Sequence, residues 1–156
     1  MAHWLSNRGK LLLLQGQWDD AGASVIRVGL IVGSSVPAAM DTEAEIQDLN
    51  TVGELLALTG VDEPTGGWYA RQNFSRTNSA EDDTNNRVNL AVATVTWASA
   101  AVNGGETHIC GGFSYDATTD TNDTTRLLLS VFTLTTPVAL NGSDLAINAM
   151  DWIRAA

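Results

Sequence analysis

The pattern of apolar and polar residues along the chain predicts a domain built mainly from β-strands. Residues 24–32 are almost continuously apolar, which indicates a strand that is covered on both faces. Residues 87–92 alternate between apolar and polar side chains, and Val95 and Trp97 continue this strand after a change of phase that is typical of a bulge. The other predicted strands are residues 68–74, 107–115, 126–135 and 145–153.

Turn-forming residues separate these strands. Asn141-Gly142 is the strongest hairpin signal, because a tight hairpin turn needs residues that tolerate a positive φ. Pro137 has no N–H group to donate, so we expect it to interrupt the preceding strand or to place it at a sheet edge. The polar residues 78–86 and 116–125 are expected to be loops, and residues 18–22 have the composition of a turn.

Two short helices are expected within residues 42–59. Thr42 with Glu45, and Thr51 with Glu54, have the spacing of capping boxes, and Gly60 is a suitable stop for the second helix.

The N-terminal segment is open to two interpretations. Residues 4–14 form either a short helix capped by Ser6 or Asn7, or a strand that begins at Lys10. The whole chain, residues 1–156, has no linker and no internal repeat, so we expect a single domain, in which residues 1–16 are an integral part or an N-terminal arm. Many short strands with two helical turns favour an antiparallel β-sandwich or barrel, jelly-roll-like in type.

Charge excludes two classes of partner. The net charge is −10 and the pI about 4.3, and the eight basic residues, seven Arg and one Lys, are scattered. Such a surface repels phosphate, so neither nucleic acid nor an anionic membrane is an expected partner.

The apolar run at residues 11–14 is too short for a signal peptide core or a membrane span. Cys110 is the only cysteine, which fits synthesis in a reducing cytoplasm.

Metal-binding residues are sparse. His108 and Cys110 are two residues apart on one face of a predicted strand, but a zinc site there would need distant carboxylates, and the simpler interpretation is a strand with one buried thiol. Oxygen ligands for calcium are available in the two polar loops, which lack the central Gly and closing Glu of a calcium hand and are more simply turn-capping loops. The residues concerned are Asp116, Asp120, Asn122 and Asp123 in one loop and Glu81, Asp82 and Asp83 in the other.

Catalytic motifs are not found in the sequence. There is no G-x-S-x-G nucleophile motif, and neither Gly104-Gly105 nor Gly111-Gly112 opens a helix that could hold a phosphate. We therefore expect a protein that is not an enzyme and has no cofactor.

Five tryptophans are many for this length. Trp97 and Trp152 are expected in the core, whereas Trp4 and Trp18 are either interface or sugar-stacking residues or pack on their own domain.

A series of short motifs, in order along nearly the whole chain, resembles small structural proteins of tailed bacteriophages of the capsid decoration, or cement, type. The motifs are Asn7-Arg8-Gly9-Lys10, Ile26-Arg27-Val28-Gly29-Leu30, Asp48-Leu49-Asn50, Tyr69-Ala70-Arg71, Glu81-Asp82-Asp83-Thr84-Asn85-Asn86-Arg87-Val88, Val95-Thr96-Trp97, Gly111-Gly112-Phe113, Tyr115-Asp116, Arg126-Leu127-Leu128 and Asn141-Gly142-Ser143-Asp144.

The resemblance implies a protein of the virion, made in the host cytoplasm, that binds the outer head surface through the major capsid protein and self-associates, most simply as a homotrimer. No small-molecule substrate is implied. The N-terminal segment is the expected contact, because it carries basic residues and tryptophans whose role in the core is least clear: Trp4, Leu5, Arg8, Lys10 and Trp18. The alternatives are a tail, baseplate or fibre component, a carbohydrate-binding module that uses Trp4 and Trp18, and an enzyme with unrecognised carboxylates.

Overall fold

The computed structural model has ten strands and three short α-helices within the residues that it describes. It describes residues 2–14, 25–74, 76–82, 87–118, 122–148 and 150–155, of which residues 13–14, 76–82, 87–92 and 150–155 are described by their backbone alone. The strands are β1 (Ala2–Leu5), β2 (Ile26–Val32), β3 (Gln72–Asn73), β4 (Arg76–Asp82), β5 (Arg87–Val92), β6 (Val95–Trp97), β7 (His108–Asp116), β8 (Leu128–Ala139), β9 (Leu145–Ile147) and β10 (Met150–Ala155). The α-helices are α1 (Asn7–Leu14), α2 (Glu43–Ile46) and α3 (Val52–Leu56), and Ala38–Met40 form a 3-10 turn.

The strands pair antiparallel in three sheets. The main sheet has five strands in the order β1-β8-β7-β2-β3, a second sheet has the order β10-β5-β4, and β6 pairs with β9. The prediction of a mainly β, antiparallel fold with short helices is therefore confirmed. Within the described ranges the main sheet ends at β1 and β3 and does not close into a barrel.

The main sheet is covered on both faces, as the apolar run of β2 predicts. Val28 and Leu30 belong to a core cluster on the first face, which β6, β9 and Leu12 of α1 also enter. On the second face, Ile31 packs with residues of the 3-10 turn, α2 and α3. Successive residues of a strand point to opposite faces, so an almost continuous apolar run is what a doubly covered strand requires.

Both predicted capping boxes are present. The Glu45 carboxylate accepts hydrogen bonds from the backbone and the hydroxyl of Thr42 at the start of α2. At the start of α3 the Thr51 hydroxyl accepts from the Glu54 N–H, and the Glu54 carboxylate accepts from the Thr51 N–H. Gly60 has a positive φ of 77° and lies in the turn after α3, as expected.

The N-terminal segment is a strand followed by a helix. Residues 2–5 pair with residues 130–133 of β8. Ser6 is the cap of α1, since its hydroxyl accepts from the Gly9 N–H and its carbonyl from the Lys10 N–H, which confirms the helical interpretation. The described residues 2–14 are thus joined to the main sheet, in contrast to a separate arm.

Two predicted boundaries are wrong in the middle of the chain. Trp68 and Tyr69 lie in a turn closed by a hydrogen bond from the Tyr69 N–H to the Gly66 carbonyl, so only residues 72–73 of the expected strand at 68–74 pair as β3. Most of the expected polar loop at 78–86 is strand β4, because backbone pairing with β5 overrides the weak strand propensity of its side chains. Residues 83–86, and with them Asp83, lie outside the described residues.

Pro137 lies within β8 at a point where the pairing with β7 is interrupted, as expected. The pairing of β7 with β8 passes from Gly111↔Thr133 to Ile109↔Val138, so residues 134–137 bulge out opposite Cys110. A proline is tolerated there because the bulge requires no ladder hydrogen bond from it.

The C-terminal prediction is wrong in its connections. Gly142 has a positive φ of 84°, so the expected turn is present, but it joins β8 to β9, and β9 pairs with β6. Residues 145–153, expected to be one strand, are divided between β9 and β10, which belong to different sheets. The turn is stabilised by a residue from another segment, since the Gly142 N–H donates to the Ala100 carbonyl.

Candidate functional site

The densest group of charged side chains is an arginine cluster on the second face of the main sheet, consisting of Glu63, Tyr69, Arg71, Asp123 and Arg126. Glu63 follows the bridge between β2 and Asp62, and Arg71 immediately precedes β3. Asp123 and Arg126 lie in the loop that leads into β8. The cluster therefore joins two connections that are far apart in the sequence, one between α3 and β3 and one that leads into β8.

Arg71 is the centre of the cluster. Its guanidinium binds Asp123 through both terminal nitrogens, with Nη1–Oδ1 and Nη2–Oδ2 distances of 2.6 and 2.7 Å. It also binds Glu63, with Nε at 2.8 Å from Oε1 and Nη2 in contact with Oε2. Arg126 Nη1 lies 2.7 Å from Asp123 Oδ1, and the Tyr69 hydroxyl donates to Glu63. The positive charges of the two arginines thus neutralise the negative charges of Glu63 and Asp123.

Aromatic rings form the inner wall of the cluster. The guanidinium carbon of Arg71 lies 5.3 Å from the ring centroid of Phe113 and 5.1 Å from that of Tyr115. Arg126 lies 5.3 Å from the Tyr115 ring. These rings exclude water from one side of both cations, which strengthens the ion pairs on the other side.

The surroundings shift three pKa values. The hydrogen bond from Arg71 is the main cause that lowers the pKa of Asp123. Burial alone would lower the pKa of Arg71, but hydrogen bonds to Glu63 and Asp123 outweigh it and raise the pKa. Burial, followed by the negative charge of Glu63, raises the pKa of Tyr69, so its hydroxyl stays protonated. All three shifts favour the charged forms of Arg71 and Asp123 and the protonated form of Tyr69, which are the forms that pair. The cluster is therefore suited to cross-link the connections that it joins.

The residues expected to contact a partner are only partly brought together. Trp4 packs against the core cluster of the second face and Leu5 against that of the first face, since β1 alternates between them. Lys10 forms an ion pair with Glu43 of α2 at 3.0 Å. Trp18 lies outside the described residues. We name Trp4, Leu5, Arg8 and Lys10, with the outer side of β1, the N-terminal edge.

Arg8 differs from the other arginines whose side chains are described. Arg71 and Arg126 pair with carboxylates, and Arg27 binds the Asn73 side chain. Arg8 makes no ion pair with any described residue, and its Nε is shielded from solvent without a hydrogen-bond partner among them. A guanidinium that forms no ion pair with the described residues can donate to a carboxylate of another molecule through its terminal nitrogens.

No strand among the described residues pairs with the outer side of β1. Within the described part of the chain β1 pairs with β8 alone, and the opposite edge strand β3 has only two residues. Both faces of this sheet are covered, so another chain can extend it only at an edge. β1 is the longer of the two edges.

An acidic surface adjoins this edge. Residues 41–62 contain six carboxylates and no Arg or Lys, and the six residues, Asp41, Glu43, Glu45, Asp48, Glu54 and Asp62, are all exposed. α1 is bound to this segment by Lys10–Glu43 and by the Asn7 side chain, which donates to Asp48. Much of the net negative charge is thus concentrated on the helical side.

The zinc and calcium candidates have other roles where they are described. Cys110 is buried, with its Sγ 3.6 Å from the Ile31 carbonyl oxygen, and burial raises its pKa to about 11. His108 Nδ1 lies 2.9 Å from the Thr107 hydroxyl. No group of three potential metal ligands is found among the described residues.

The loop candidates behave as turn caps. Asp116 Oδ1 accepts from the Thr118 N–H and Asn122 Oδ1 from the Thr124 N–H, whereas Asp123 is bound by the two arginines. These contacts match the turn-capping interpretation. Asp120 is outside the described residues, and the side chains of Glu81 and Asp82 are not described.

The buried Trp97 and the half-buried Trp68 fix the loops near the cluster through hydrogen bonds. Trp97 is in the core, as predicted, and its Nε1 donates to the Ala70 carbonyl, one residue before Arg71. Trp68 Nε1 donates to the Ala101 carbonyl. The side chain of Trp152 is not described.

No family model, curated protein or solved structure matches this chain. In the part of the chain that the structure describes, none of the helices has both the length and the apolar character needed to cross a bilayer.

The sequence analysis did not identify Glu63, Arg71 and Arg126 as a group. The available signal was that Arg71 follows an aromatic pair within a chain of few cations, but the sequence does not show which carboxylates it meets.

Proposed function

We propose that this protein is a decoration, or cement, protein of a tailed-phage head, which binds the outer surface of the shell and stabilises it by protein–protein contacts. The resemblance of its ordered motifs suggests the class. The observation that supports the proposal further is that no described strand pairs with the outer side of β1, in a sheet covered on both faces, since such an edge is a site where another protein chain can add a strand.

The N-terminal edge is the proposed contact with the major capsid protein. Arg8 supplies a guanidinium without a carboxylate among the described residues, and Trp4 supplies partly buried aromatic surface. Arginine and tryptophan are the residue types most often found to dominate binding energy at interfaces. Self-association as a homotrimer is part of the proposal, because decoration proteins meet their shells at symmetry axes.

Copy number tests the proposed class. Quantitative mass spectrometry of purified virions should find this chain in hundreds of copies, as expected for a protein that covers a head. A small multiple would instead favour a tail, baseplate or fibre component, and absence from the virion would refute a structural role in the particle. Light scattering of the isolated protein tests the homotrimer, and a strict monomer would contradict that part alone.

Binding to empty heads tests the proposed surface. Arg8→Ala should weaken co-sedimentation with heads at least about tenfold, the loss expected for an interface arginine that binds a carboxylate. Arg27→Ala is the matched control, because it removes a guanidinium from β2, next to the opposite edge of the sheet. Equal loss with both variants, or no loss with Arg8→Ala, would show that the N-terminal edge is not the contact.

A further inference from the structure

A cavity of about 220 Å³ lies between β9 and the first face of the main sheet. Leu30, Ile109 and Phe132 form its floor and are buried core residues of β2, β7 and β8. The other lining residues are Leu134, Val138, Leu145, Ala146, Ile147 and Asn148.

The bulge in β8 forms one side of this cavity. Leu134 begins the bulge and Val138 is the first residue paired again after it, so the unpaired residues 135–137 separate these two lining residues along the strand. Val138 is 42% exposed at the rim, which leaves the cavity accessible from solvent. Bulges are common beside binding sites, because they redirect side chains without ending the sheet.

The lining determines which ligands fit. It contains no ionisable side chain, and Asn148 is its one polar residue. Water molecules inside would find few hydrogen-bond partners, and apolar cavities of about 150 Å³ in other proteins stay dry and bind benzene. An ionised ligand would lose its hydration without compensation. The volume therefore suits one substituted ring or a branched chain of comparable size.

We propose that this cavity is a binding site for a small uncharged apolar molecule, of the size of a singly substituted benzene ring. The site is independent of the N-terminal edge and of the proposed role on a phage head. Binding involves no covalent step, so the protein acts on this molecule as a carrier or is stabilised by it.

Methyl-labelled NMR with toluene as the probe tests the proposal. Toluene should shift the methyl resonances of Leu30, Ile109, Leu134 and Leu145 in a saturable manner. Benzoate, which has the same ring and a negative charge, should shift none of them. Absence of saturable shifts with toluene, equal shifts with benzoate, or shifts spread evenly over all methyl groups would overturn the proposal.

A filling substitution and a matched control locate the site. Val138→Phe places a ring at the rim and should weaken toluene binding at least about tenfold. Val102→Phe makes the same change at a valine that is 51% exposed and does not line the cavity, so it should leave binding unchanged. If Val138→Phe does not fold, Leu134→Phe serves as the second filling variant. Undiminished binding in a folded filling variant, or equal loss in Val102→Phe, would refute the location.

Discussion

Replacing Arg71 by methionine should destabilise the protein more than the loss of any exposed ion pair. The substitution keeps an unbranched side chain about as long as the stem of arginine and removes the guanidinium that binds Glu63 and Asp123 and stacks on Phe113 and Tyr115. Both carboxylates would then lose their main partner. Tyr69 would still donate to Glu63 and Arg126 to Asp123, but the neighbouring aromatic rings cannot replace the lost guanidinium.

The exposure of these groups sets the magnitude. The side chains of Arg71, Glu63 and Asp123 are 13%, 19% and 32% exposed. Removing one partner of a fully buried pair costs about 3–5 kcal/mol, and the partial exposure of Asp123 places the expected loss near the lower end, at about 3 kcal/mol. Lys10→Met is the control, because Lys10 and Glu43 are 41% and 56% exposed, and such pairs contribute about 0–1 kcal/mol.

Urea unfolding measures the difference. Tryptophan fluorescence reports on the core through the buried Trp97, and far-ultraviolet circular dichroism should give the same midpoint if unfolding has two states. The reasoning is refuted if Arg71→Met loses less than about 1 kcal/mol, or no more than Lys10→Met, because the cluster would then contribute no more than a surface pair.

Two further predictions follow from named contacts. The pKa of Asp123 is lowered in the folded protein, so its ion pairs stabilise the fold above the unfolded pKa of about 4, and this stabilisation is lost as pH falls through the lower, folded value. The urea midpoint should therefore fall less steeply between about pH 5 and 2 in Asp123→Asn than in the unmodified protein. Equal slopes in the two proteins would contradict this prediction. Gly9→Ala should destabilise the protein by about 2 kcal/mol or more, although alanine is favoured in helices, because a Cβ there would lie 2.1 Å from the Leu129 carbonyl oxygen. Gly105→Ala, where nothing lies within 4 Å of the added Cβ, should change urea stability by less than about 0.5 kcal/mol, and similar losses in both variants would refute the steric argument.

Local signals in the sequence predicted the elements that depend on neighbouring residues. The capping boxes of Thr42 and Thr51 and the turn at Gly142 use contacts within a few residues, which spacing reveals. The doubly covered strand β2 was also visible, because its composition must satisfy both faces.

The errors arose where pairing between distant segments decides the structure. β4 is a polar strand held by β5, and residues 145–153 are divided because β9 pairs with β6 and β10 with β5. The arginine cluster was missed for the same reason. Arg71 and Asp123 are 52 positions apart, and no local pattern indicates that their side chains meet.

The pairing of β1 with β8 has a consequence for the order in which the chain folds. Residues 2–5 leave the ribosome well before their partners, residues 130–133, so β1 can take its place in the sheet only after most of the given sequence has been made. β8 also separates β1 from β7 in the sheet order, so a nascent chain that ends before Leu128 lacks the strand that joins the N-terminal residues to the rest of the sheet. Trp4 and Leu5 thus remain without their native packing during most of synthesis, and the slow, nonlocal closure of this sheet is the stage at which the protein is most exposed to misassembly.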